Sequence, residues 1–132
     1  MADKVIALAC AAGMSTSLLV SKMQKAAADN GKDYEIFAKS TADIDNMLAG
    51  TGSPKPDVLL LGPQVAFMKG EVAKKAEIAG VPMDVIKMQD YGMMRGDKVL
   101  AAAENLIELR FSKFTNFDER AKSSFFLANP FN

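Results

Sequence analysis

The apolar positions of this chain switch between two periods. Val5-Ile6-Ala7-Leu8-Ala9 is an unbroken apolar run of strand length, as expected of a strand buried on both faces of a parallel sheet. From about Ser17 to Asn30 the period becomes helical: Leu19, Met23, Ala26 and Ala27 share one face, and Gly31 supplies a stop. Tyr34-Glu35-Ile36-Phe37-Ala38 carries a weaker strand pattern. Ser40 then precedes a short predicted helix with Ile44, Met47 and Leu48 on one side. The segment Gly50-Thr51-Gly52-Ser53-Pro54-Lys55-Pro56 reads as a loop.

Val58-Leu59-Leu60-Leu61 is a third, wholly apolar strand, ended by Gly62-Pro63. A helical stretch follows to about Ala79, with Val65, Met68, Val72 and Ala76 on one face and Gly70 as a predicted break. Gly80 ends it. Val81-Pro82-Met83-Asp84-Val85-Ile86 reads as a fourth strand, and Pro82, which lacks an N–H, suits a strand start or an edge. After a loop at Lys87–Gly96, Asp97 caps a last helix that turns Val99, Leu100, Ala103, Leu106 and Ile107 inward. Strands alternating with helices predict an α/β fold: a four-stranded parallel sheet, helices on both faces, and a phosphate-binding loop after the first strand.

Length and composition agree with one domain. The chain has 132 residues, 49% apolar and 24% charged, which is ordinary globular usage. The domain is expected over residues 1–110. Residues 111–132 differ in character, because six of the eight phenylalanines fall there: Phe111, Phe114, Phe117, Phe125, Phe126 and Phe131. So aromatic an extension either packs back on the domain or a neighbouring copy, or docks a partner.

Charge and residue absences narrow the chemistry. Sixteen basic residues balance sixteen acidic ones, and no basic stripe recommends nucleic acid as a partner. No apolar run approaches the roughly 18 residues that span a bilayer, so no membrane insertion is expected. The first apolar run lacks a basic leader and flows into a Gly/Ser loop, unlike a signal peptide. With no histidine, Ser-His-Asp and Cys-His catalysis and histidine-based zinc sites are excluded. With one cysteine there is no disulfide, redox pair or thiolate-rich metal site, which fits a reducing, cytoplasmic setting. Neither metal nor cofactor is called for.

The candidate chemistry lies in Cys10-Ala11-Ala12-Gly13-Met14-Ser15-Thr16-Ser17, between the first strand and the first helix. In open parallel sheets ligands bind beyond the carboxyl ends of the strands, where this loop falls. Its amides can form a nest of donors, its hydroxyls add more, and the helix behind contributes partial positive charge. Cys10 stands at the mouth. A free thiol has a pKa of about 8.5, and a helix N-terminus can lower it to about 3.5–7.5, so a thiolate nucleophile is expected here.

Competing phosphate loops fail on particular residues. A Walker A loop needs Gly-Lys-Ser/Thr, and G-x-G-x-x-G marks a dinucleotide site; neither occurs. The low-molecular-weight tyrosine phosphatase loop, Cys-x5-Arg-Ser/Thr, would put arginine at position 16, which is Thr16. The first arginine of the chain is Arg95, and there is no Asp-Pro general acid. A loop without a guanidinium clamp or acid/base can hold a phosphocysteine yet has poor means to hydrolyse it. That suits a relay.

The chain resembles the soluble enzyme IIB components of the lactose/cellobiose class of the bacterial sugar phosphotransferase system. The resemblance covers about residues 4–107. It is carried by Cys10-Ala11-Ala12-Gly13-Met14-Ser15-Thr16-Ser17-Leu18-Leu19-Val20, by Val58-Leu59-Leu60-Leu61-Gly62-Pro63-Gln64, and by Asp90-Tyr91-Gly92. It implies a transient phosphocysteine at Cys10, received from a phosphohistidine on enzyme IIA and passed to a cellobiose-, chitobiose- or lactose-type sugar carried by membrane enzyme IIC. It implies residence in the cytoplasm, with transient visits to the inner face of the membrane. Tyr91 is a candidate contact of the phosphate loop. Family members end near Ile107 to Arg110, so nothing carries over to the aromatic tail. The alternatives are a cysteine phosphatase or arsenate reductase on a similar loop, and a regulatory binding module that keeps the fold without the transfer.

Overall fold

The computed structural model describes residues 4–11, 16–52 and 54–109. The aromatic stretch 111–132, Ser53 and the loop positions Ala12 to Ser15 lie outside the described residues. Strand β1 spans Lys4–Cys10, helix α1 Thr16–Asp29 and strand β2 Tyr34–Ser40. A 3-10 turn at Thr41–Asp43 leads into helix α2, Ile44–Ala49. Strand β3 is Val58–Leu61, followed by a 3-10 segment at Pro63–Met68 and helix α3, Lys69–Ala79. Strand β4 is Met83–Val85, α4 is Met88–Gly92, and α5 covers 96–109.

The four strands form one parallel sheet in the order β2-β1-β3-β4. The chain leaves β1 toward β2 on one side and leaves β3 toward β4 on the other. The carboxyl ends of β1 and β3 therefore flank a topological switch point, where connections diverge and open a crevice. Cys10 and Gly62 sit there, and the Gly62 N–H donates to the Ala9 carbonyl at 2.9 Å across the two strand ends.

Strand parity divides the core in two. Ile6, Leu8, Ile36, Val58 and Leu60 pack against Leu19, Val20, Met23 and Ala27 of α1 and Val99, Leu100 and Ala103 of α5. Ala7, Ala9, Leu59 and Leu61 face the other way, onto Ile44, Met47 and Leu48 of α2 and Val72 and Ala76 of α3. Successive strand residues point to opposite faces, so an apolar run is what a two-sided sheet requires.

Helix ends follow their local chemistry. At the end of α1, Gly31 takes φ 70°, which a Cβ would disfavour, and the Lys32 N–H returns to the Ala27 carbonyl at 2.8 Å. The Ser40 hydroxyl accepts from the Ala42 N–H at 3.2 Å, capping the turn before α2.

Three expectations need correction. The helix after β3 does not break at Gly70, which lies inside α3; the irregular residue is Val65 (φ −116°, ψ 25°), in the 3-10 segment after Pro63. Only Met83–Val85 of the expected fourth strand pairs, although β4 is at an edge, as Pro82 suggested. The span Lys87–Gly96 contains α4, and its Tyr91 ring is buried in the core rather than in a polar loop.

Gly96 explains how α5 reaches α1. A Cβ built there would lie 2.6–2.7 Å from the Lys22 carbonyl carbon, Lys22 Cβ and the Met23 nitrogen. Only a glycine lets the two helices approach this closely.

Candidate functional site

The site is assembled at the end of β1. Cys10 is the last strand residue, paired across from Ser40 of β2, and its parity turns it toward the α1 and α4 face. It is 3% exposed. On its β3 side stands Gly62. The Gly62 backbone is ordinary (φ −63°, ψ 148°), so conformation does not demand glycine. Space does: a Cβ at Gly62 would come 2.8 Å from the Cys10 sulfur. The missing side chain is what lets the thiol occupy the crevice.

Thr16 opens α1 and is the one buried polar residue among those described. Its hydroxyl lies 3.4 Å from the Tyr91 hydroxyl, so α4 is tied to the head of α1 beside the cysteine. A buried hydroxyl needs such a partner. Ser17, the next residue of α1, is exposed and lines an open groove of about 530 Å³ together with Cys10, Ala11 and Thr16. The groove runs between α1 and edge strand β2, where Ser21, Gln24, Lys39 and Ser40 add polar groups. Gln24 Nε2 donates to the Ile36 carbonyl at 3.0 Å, fixing α1 against that edge.

The electrostatics of the thiol differ from expectation. Burial pushes the Cys10 pKa up, and a hydrogen bond from the Thr16 side chain and one from the Gly62 backbone pull it down less than burial raises it. Desolvation thus works against the thiolate that the helix terminus favours. It disfavours the charged form of a group enclosed by protein, and it depends on packing that no local sequence pattern reveals.

Of the sequence-derived site, the structure brings Cys10, Ala11, Thr16 and Ser17 together and sets Tyr91 behind Thr16. Ala12, Gly13, Met14 and Ser15 fall outside the described residues. The sequence reading gave no site role to Gly62, which ends a strand within one of the blocks that carry the resemblance, or to the groove residues of β2. No signal along the chain marks either, because both depend on which strands are neighbours. Arg95, the first arginine, is held by Asp97 through Nε–Oδ1 at 3.2 Å and Nη2–Oδ2 at 3.1 Å on the α4–α5 connection. It does not line the groove. Among the described residues no cluster of histidine, cysteine, aspartate and glutamate could hold a metal, and no helix is long and apolar enough to cross a membrane.

Residues 5–102 match the family model described as PTS system, Lactose/Cellobiose specific IIB subunit. The chain belongs to this family. It is 99% identical over 107 residues to the PTS system cellobiose-specific EIIB component of Lactococcus lactis subsp. lactis, covering 81% of this chain and 99% of the relative. Over the same length it is 98% identical to the PTS system galactose-specific EIIB component of Lactococcus lactis subsp. cremoris, with the same coverage. The fold agrees with the solution structure of the cellobiose-specific phosphotransferase IIB component from Borrelia burgdorferi, at TM-score 0.66 and 34% identity, over 81% of this chain and 94% of that one. This EIIB chain is thus a phosphotransferase component of sugar transport, with Cys10 ending its first strand.

Proposed function

We propose that Cys10 carries a phosphoryl group between two protein partners. The observation that carries this reading is the position of the lone cysteine: at the switch point of a parallel sheet, open to a groove, beside the loop that leads into α1. In the first step the Cys10 sulfur attacks the phosphorus of a phosphohistidine on enzyme IIA. The P–N bond breaks, a P–S bond forms, and the departing imidazole takes up the proton that the thiol gives up. In the second step a hydroxyl oxygen of the sugar held by membrane enzyme IIC attacks phosphorus. The P–S bond breaks, the sulfur recovers its electron pair, and the hydroxyl proton passes to the thiolate or to water.

The phosphate would be held by the backbone amides of Ala11, Ala12, Gly13, Met14, Ser15, Thr16 and Ser17, with the loop hydroxyls and the α1 dipole adding to them. The raised thiol pKa suits this role. Burial favours the neutral thiol, which would give up its proton during the transfer. The absence of a loop arginine, with Arg95 engaged elsewhere, supports transfer over hydrolysis and weighs against a phosphatase. Leu18, half-exposed one residue past the loop, is available to a docking partner rather than spent in the core. Both exchanges would occur in the cytoplasm, the second transiently at the inner face of the membrane.

Two near-identical relatives carry different sugar names, cellobiose and galactose. That supports placing sugar choice in the membrane partner rather than in this chain. The 107-residue match likewise supports a carrier domain over residues 1–110, with 111–132 as an extension of separate role.

The test is to incubate the protein with phosphorylated enzyme IIA and labelled phosphate. Wild type takes up label in an acid-labile thiophosphate linkage, whereas Cys10→Ser does not. Equal labelling of the two, or rapid turnover of a small aryl phosphate by wild type, would sink the carrier reading.

A further inference from the structure

We infer that Tyr91 is a positioning residue for the cysteine: its hydroxyl donates to Thr16 Oγ1 and so commits the single Thr16 proton to the Cys10 sulfur or to the group carried on it. The inference deepens the carrier reading and rests on it for the phosphorylated state; in the free protein it concerns the thiolate form of Cys10.

Thr16 and Tyr91 are both 5% exposed, and their hydroxyl oxygens lie 3.4 Å apart. Each hydroxyl has one proton and can accept as well. A thiolate, or a phosphoryl group on sulfur, only accepts. When either is present Thr16 must give its proton in that direction, so the Tyr91 proton is the one left to fill the 3.4 Å contact. The chain then runs Tyr91 to Thr16 to Cys10, and both protons are used. The reverse order would leave the Tyr91 proton without an acceptor among the described residues, inside the core, which is costly.

The fold explains why Tyr91 can do this from another element. Its ring is one of the buried residues of the α1 and α5 side of the core, so the hydroxyl is carried on a packed aromatic lever rather than a loop tip. The connection behind it is tightly wound: the Met94 N–H returns to the Tyr91 carbonyl at 3.1 Å and the Arg95 N–H to the Asp90 carbonyl at 2.9 Å. Few other groups face the sulfur. Thr16 belongs to α1; the Gly62 N–H after β3 is shared between the Ala9 carbonyl and the sulfur; Lys39 of β2 is the charged side chain that lines the same groove. No acidic side chain among the described residues lines it.

The experiment reads the thiol directly, without phosphotransfer, so its failure is distinguishable from failure of the carrier reading. Because the chain has one cysteine, carbon-13 labelling of cysteine reports Cys10 alone, and its β-carbon shift is followed against pH. Tyr91→Phe keeps the ring and removes only the hydroxyl. It is expected to move the titration midpoint upward and lower the thiolate fraction at a fixed pH about threefold, the size of a lost cooperative bond. Thr16→Val is expected to lower it about tenfold, the size of a lost hydrogen bond to a charged group. In the Thr16→Val background Tyr91→Phe should do nothing more, because its effect passes through Thr16. Thr16→Ser, which keeps a hydroxyl, should restore the Tyr91 dependence. If Thr16→Val does not fold, Thr16→Ala takes its place. An unchanged titration in Tyr91→Phe, or the same shift with and without the Thr16 hydroxyl, overturns the inference. Labelling by phosphorylated enzyme IIA, run in parallel, judges the carrier reading on its own.

Discussion

The two faces of the sheet use the same four strands under different rules. Toward α2 and α3, Ala7, Ala9, Leu59 and Leu61 meet a buried set that is entirely apolar. Toward α1, α4 and α5 the core is also largely apolar, yet it includes the buried Thr16 hydroxyl, the Tyr91 hydroxyl and the Cys10 thiol. Buried polar groups cost free energy unless each finds a partner. They are gathered at one end of one face, where α1 begins and the strand connections diverge. Stability and chemistry are thereby separated by strand parity, and adjacent residues of one strand can serve opposite purposes.

Leu61 and Gly62 show this at neighbouring positions, and they give the comparison its sharpest tests. Leu61→Ala empties a fully buried site on the apolar face and should lower unfolding stability by about 2–5 kcal/mol in urea melts. The folded fraction should keep its rate of labelling at Cys10 within about twofold, because apolar packing away from the sulfur leaves transition-state contacts alone. A matching loss of labelling per folded molecule would show that the faces are not independent.

Gly62→Ala should do the reverse. Its Cβ meets the Cys10 sulfur at 2.8 Å and Gln64 Oε1 at 3.1 Å, so it crowds the site while replacing no core residue. The expected stability cost is about 1–3 kcal/mol, as for other overpacked sites. Labelling at Cys10 should fall about tenfold or more, since misplacing a reacting atom by a fraction of an ångström is severe. Normal labelling in this variant would mean that the crevice relaxes and Gly62 is not what admits the thiol.

The smallest effect is expected at Gly70, where nothing lies within 4 Å of an added Cβ. Gly70→Ala should raise stability by about 0.5 kcal/mol through helix propensity alone, with labelling unchanged. A destabilised variant would reinstate the break that the sequence suggested for this position.

Those three positions also show what sequence reading could and could not reach. Strands at Val58–Leu61 and near Val5–Ala9 were legible because a strand buried on both sides leaves an unbroken apolar run in the sequence itself. Helix α1 was legible from the spacing of Leu19, Met23 and Ala27, and its end from Gly31. Gly70 and Gly96 look alike as letters. One sits in open space and the other against the α1 backbone, and only the packing of α5 on α1 tells them apart. Helix α4 is not legible in the sequence because its five residues are too few for a period, so the span Lys87–Gly96 reads as a loop.

By itself, then, the sequence determined the alternation of strands and helices, the single cysteine at a strand end, the Gly/Ser loop after it, and the lack of an arginine within that loop and of an Asp-Pro pair. These depend on local spacing and on residue types. Tertiary structure alone decided the strand order β2-β1-β3-β4, and with it that Gly62 would stand against Cys10 and Tyr91 against Thr16. It also decided how the thiol is desolvated. A helix N-terminus can be read from sequence and argues for a lowered pKa, whereas desolvation depends on everything that packs around the sulfur, and here it outweighs the hydrogen bonds from Thr16 and Gly62.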